Sequence, residues 1–133
     1  MKFVIALSAA LLSIASPASS EPLREVDRNF AVLATTAWVV GTLCGNLRIV
    51  EGAAAKMADR NGADIGRIGP ALVAAWQANI SQDYDRSALV PEVTEVVRNT
   101  FNMIDKDYTR NKTKACADWT KAIMPSGLIE RTN

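Results

Sequence analysis

The acidic side chains are the groups in this chain whose spacing comes closest to a reaction centre, and they recur as short pairs. Asp83 and Asp85 flank Tyr84, Asp105 and Asp107 flank Lys106, and Glu92 stands three residues before Glu95. Two carboxylates of unequal acidity are the minimum equipment for acid–base cleavage of a glycosidic bond. The Asp-x-Asp spacing is also the opening of an EF-hand calcium loop. Neither stretch continues as such a loop. The sixth position needs glycine and is Ala88 or Arg110, and the twelfth needs glutamate and is Thr94 or Cys116. Glu92 and Glu95 are accounted for by a helix opening at Pro91, where carboxylates meet the positive end of the helix dipole. The reading is of carboxylates on solvated turns, with no catalytic residue, no metal site and no cofactor assigned.

What is missing narrows the chemistry further. The 133 residues include no histidine, which excludes Ser-His-Asp and Cys-His nucleophile pairs, histidine zinc sites and an imidazole pH switch. Lys106, Arg110, Lys112 and Lys114 form a small basic patch, but Asp105 and Asp107 dilute it. With 15 basic against 14 acidic side chains, the chain carries no charge bias toward nucleic acid.

The remaining reactive groups are Cys44 and Cys116, and their meaning depends on compartment. Residues 1–20 read as a cleaved signal peptide: Lys2, then an apolar run from Phe3 to Ala15, then Pro17 and the small residues Ala18, Ser19 and Ser20. Cleavage there leaves 21–133 as the mature chain and places it in the periplasm or outside the cell. In an oxidising compartment two lone cysteines predict one disulfide, Cys44–Cys116. An intermolecular bond is the alternative, and the absence of a Cys-x-x-Cys motif argues against redox cycling.

The elements that must carry these residues are helical throughout. Leu23, Val26, Phe30, Leu33, Ala37, Val40 and Cys44 recur at alternating spacings of three and four, an apolar seam. Val32, Trp38, Val39 and Leu43 point off that seam, as expected of a central bundle helix. A second helix is expected over Leu47–Asn61, ended by Asn61-Gly62, and a third near Pro70 carries Leu72, Val73, Trp76 and Ile80. A fourth runs from Pro91 with Val93, Val97, Phe101, Ile104 and Tyr108 inward. After a polar interruption at residues 109–113, a short fifth carries Cys116, Trp119 and Ile123, followed by a loose tail. The expected fold is all-α, a single small bundle of four or five helices closed by one disulfide over residues 21–133.

Two features bear on partners. The 19 residues between Arg28 and Arg48 lack any charge, which approaches spanning length. Asn29, Thr35, Thr36, Thr42 and Asn46 dilute that stretch, so a buried bundle helix is preferred and no stable membrane span is expected. Trp38 sits one step off the seam, and with Val39 it forms the first candidate partner surface; the loop carrying Asp83, Tyr84 and Asp85 is the second. The sequence therefore suggests an exported helical protein that binds another protein as an inhibitor, immunity protein or chaperone, with a homodimer as one form of partner. An exported hydrolase using Asp or Glu, and a single-span membrane accessory protein, are the alternatives.

Overall fold

Acidic Glu25 and Asp27 open the first helix, and the apolar spacing that follows carries it for 19 residues, Glu25–Leu43 (α1). The computed structural model describes residues 22–132, so the leader assigned to residues 1–20 lies outside the described residues. These form five α-helices and one two-stranded antiparallel sheet: α1, β1 (Leu47–Ile49), α2 (Ala53–Asn61), α3 (Ile65–Asn79), α4 (Pro91–Arg110), α5 (Lys112–Ile123) and β2 (Ile129–Arg131). The fold is all-α apart from that small sheet, as the spacing predicts. Helix α1 is central, packing against β1 and every other helix. The innermost side chains are Phe30, Val39 and Val40 of α1, Ile68 of α3, Val93, Val97 and Ile104 of α4 and Ile123 of α5.

The seam predicted for α1 is only partly the buried one. Val26 is exposed and Leu33 half-buried, whereas Asp27, Ala31 and Ala34 face inward. The buried stripe runs through Leu23, Phe30, Ala37 and Cys44 and takes in Asp27 and Ala34, the i+4 neighbours of Leu23 and Phe30, so it lies to one side of the seam. Asp27 also holds the first turn in place. Its carboxylate takes two hydrogen bonds from the Arg24 guanidinium, at 2.8 and 3.0 Å, and one from the Asp64 N–H at 2.8 Å. The start of α1 is thereby tied to the α2–α3 link.

The expected helix over Leu47–Asn61 is two elements. Leu47–Ile49 is a strand whose residues Leu47, Arg48 and Ile49 pair with Arg131, Glu130 and Ile129. This pairing also orders the tail that composition leaves loose: Leu128 and Ile129 are buried. Gly52 breaks strand from helix, sitting at the N-cap of α2 with φ of +78°. A side chain there would meet nothing within 4 Å, so the restriction is purely one of backbone. Gly52→Ala is expected to cost about 1 kcal/mol, seen as a lower urea midpoint at unchanged slope; an unchanged midpoint would show that the left-handed turn is dispensable.

Two further boundaries move for local reasons. Helix α3 begins at Ile65, five residues before Pro70, because the Asp64 carboxylate caps it by accepting from the Arg67 N–H at 3.1 Å. The polar interruption at 109–113 shrinks to Asn111, whose side chain caps α5 by accepting from the Lys114 N–H at 3.1 Å. The expected disulfide is formed: Cys44 at the end of α1 bonds Cys116 in α5, with the Cα atoms 5.6 Å apart.

Candidate functional site

Two half-buried tryptophans meet where α1 and α3 approach the surface. Trp38 projects from α1 and Trp76 from α3, and their rings stack with centroids 5.1 Å apart and planes within 7°. Parallel stacking at this separation is a favourable aromatic geometry, worth about 1 kcal/mol beyond the area it buries. Trp76 is fixed from behind, since its indole N–H donates to the Thr35 hydroxyl at 3.0 Å. Thr35 is itself fully buried in α1. Trp38 is half-buried, and its indole N–H has no hydrogen-bond partner among the described residues.

An open cleft lies on either side of Trp38. One, of about 160 Å³, is bounded by Ala34, Ala37 and Trp38 of α1, Trp76 of α3, the stretch that carries Ile49, Val50 and Ala54, and Leu128. The other, of about 240 Å³, lies between Trp38, Val39, Thr42 and Leu43 of α1, Ile80 and Phe101. Alanines at 34, 37 and 54 make room for the first. No charged residue lines either cleft. Ile49 and Ile80, half or nearly half exposed, stand one at each cleft. Water in such a cleft finds few hydrogen-bond partners, so an apolar group that displaces it gains the transfer free energy of its buried area.

The residues singled out from sequence are distributed unevenly over this surface. Trp38 is its centre. Val39 is not a surface residue: it is 1% exposed and packs into the core, bordering the second cleft only from within. Neighbouring helix positions point about 100° apart, so with Trp38 at the surface the next residue turns inward. Asp83, Tyr84 and Asp85 lie in the connection between α3 and α4 and line neither cleft. Asp85 accepts from the Ser87 hydroxyl and N–H at 2.6 and 2.9 Å, and these bonds hold its carboxyl below the usual range. A general acid needs the opposite shift. Tyr84 lies under the Arg86 guanidinium, 5.8 Å from the ring centre.

Two of the other acidic candidates, Glu92 and Asp107, have structural partners. Glu92 accepts from the Leu23 N–H and pairs with Arg28 at 2.9 Å, fastening the start of α1 to α4. Asp107 accepts from the Trp119 indole at 3.0 Å, which places the second Asp-x-Asp pair within α4 and not in a loop. Among the described residues no group of three or more Cys, Asp or Glu side chains is arranged to hold a metal ion. A third cleft of about 130 Å³ at the α4–α5 elbow is of mixed charge, with Asp107, Arg110, Lys114 and Asp118 in its wall.

Sequence reasoning missed Trp76, Ile49, Val50 and Phe101 as members of the Trp38 surface. Nothing in the sequence pairs Trp76 with Trp38, since their stacking depends on how α3 packs on α1. Ile49 and Val50 carry no signal while they are read as helical. No family model, curated protein or solved structure matches this chain.

Proposed function

We propose that this is an exported small helical protein that acts by binding another protein, as an inhibitor, immunity protein or chaperone does, and that Trp38 is the centre of the surface it binds with. The observation that carries this reading is the stacked Trp38–Trp76 pair with an uncharged cleft on each side. The sizes favour a protein over a small molecule. Each cleft is smaller than the roughly 300–1,000 Å³ usual for a drug-sized ligand, and matches one or two apolar side chains. Tryptophan in an apolar pocket is also the residue type most often found carrying interface energy. Export is supported by the leader pattern of residues 1–20 and by a disulfide, the chemistry of an oxidising compartment. No helix among the described residues is long and apolar enough to cross a membrane.

The test compares tagged wild type with Trp38→Ala in the cells that make the protein, after confirming by circular dichroism that the variant is folded. Truncating a central interface tryptophan costs roughly 2–4 kcal/mol, so a stoichiometric partner captured by wild type is expected to drop by about 30-fold or more in affinity for the variant. Equal recovery with both proteins would move the binding surface elsewhere.

A further inference from the structure

We infer that the bound partner contributes an extended segment, alternating apolar, acidic and apolar residues, which pairs with the free edge of β1 and drops its apolar side chains beside Trp38. This rests on the Trp38 surface proposed above and specifies what occupies it.

The Thr132 N–H donates to the Asn46 carbonyl and the Val50 N–H to the Leu128 carbonyl, each at 2.9 Å. With Arg48 opposite Glu130, antiparallel alternation makes Arg48–Glu130 the pair whose backbone groups face each other inside the sheet. The N–H and C=O groups of Leu47 and Ile49 therefore point to the other side of β1, and among the described residues they have no partner. An edge of unpaired backbone groups is a template for a further strand.

The side chains define what that strand carries. Leu47 and Ile49 lie on the α1 side of the sheet, with Ile49 packed over Gly41. Cross-strand neighbours share a face, so added residues opposite Leu47 and Ile49 also point toward α1. Ile49 lines the same cleft as Trp38 and Trp76, and those positions call for apolar side chains. The residue between them falls opposite Arg48, on the solvent face. Arg48 is the charge of β1 on that face, ion-paired with Glu130 on its β2 side, and opposite charges directly across a strand pair attract, so that position favours Asp or Glu. The same charge disfavours a second copy of this chain: the antiparallel register that pairs Leu47 with Ile49 across a two-fold axis sets Arg48 against Arg48, and like charges directly opposite are destabilising.

The test screens a displayed library of short random peptides against the full chain, then follows a synthetic enriched peptide by amide exchange. Enriched sequences are expected to alternate apolar and acidic residues. At saturation the Leu47 and Ile49 amides are expected to gain about tenfold or more in protection, while Arg48 and Val50, already bonded within the sheet, gain little. Ile49→Pro deletes an N–H that nothing in the chain uses, a change edge strands accept, and Ile49→Ala deletes only the side chain. Peptide affinity is expected to fall about tenfold further for the proline variant than for the alanine variant. Peptides that alter tryptophan emission without protecting Leu47 and Ile49 would overturn strand addition and leave the Trp38 surface standing. A library yielding no enriched sequence would also overturn it, and the Trp38→Ala capture would then decide the broader reading alone.

Discussion

Replacing Cys44 and Cys116 together by alanine is expected to lower the unfolding free energy by about 4 kcal/mol. The bond joins residues 72 apart in sequence. Chain-entropy arguments assign about 4 kcal/mol to a loop of that length, because the open unfolded chain regains the conformations that the bond removes. A domain of this size has roughly 5–15 kcal/mol of stability in all. The melting temperature should therefore fall by roughly 15–25 °C, and reductant should reproduce the shift in wild type. A drop below about 5 °C would mean that packing of α1 on α5 already restricts the unfolded chain, contrary to the entropic account. The bond also has a local consequence. Cys44 ends α1 three residues before β1, so its loss is expected to loosen the strand beside Trp38 and to weaken partner capture before the chain unfolds.

The second large effect is expected at Asp27, which is fully buried. Asp27→Ala should cost about 2–3 kcal/mol. Breaking a buried ion pair commonly costs 3–5 kcal/mol because the surviving charge is stranded. Here the Arg24 side chain is 53% exposed and returns to water, which lowers the figure. The Asp64 N–H loses its acceptor as α1 lets go of the α2–α3 link. Asp27→Asn keeps an acceptor for that N–H and should cost less, about 1–2 kcal/mol.

The pH dependence has a definite sign. Burial alone pushes the Asp27 carboxyl up, but hydrogen bonds from Arg24 and the Asp64 N–H, helped by the charges of Arg24 and Arg67, hold it below its ordinary value. A carboxyl more acidic in the folded state than in the unfolded one stabilises the fold above the unfolded pKa, about 4. That contribution is lost as pH falls through the lower folded value. Urea titrations of wild type and Asp27→Asn should thus differ by a constant amount from pH 5 to 7 and converge in more acidic buffer. A gap that widens in acid would reverse the assignment.

These residues also show how far the fold can be read from the chain. The helix count, the inward faces of α4 and α5 and the disulfide follow from apolar spacing and from two lone cysteines in a chain whose first residues read as an export leader. Asp27 does not, since a charged residue on a helix's first turn looks like dipole compensation until its distant partner, Asp64, is known. The strand Leu47–Ile49 is equally hidden. Three residues are too short for alternation to register, and their partner lies at the far end of the chain, in a tail whose composition gives no sign of order. With β1 read as helix, one wall of the first cleft does not register, and Val39 groups with Trp38 because both fall off the apolar seam. A site assembled from α1, β1, α3 and α4 depends on long-range pairing that local patterns do not encode.

Site-specific photocrosslinking in the producing cells decides whether the partner sits on the tryptophan pair. A photoreactive side chain is placed at Thr42, at Ile49, or at the exposed Lys106 of α4, which lines neither cleft. One and the same protein adduct is expected from positions 42 and 49 and none from 106, with both adducts lost when Trp38→Ala is added. An adduct formed equally well at position 106, or one that persists without Trp38, would contradict a binding surface centred on the tryptophan pair.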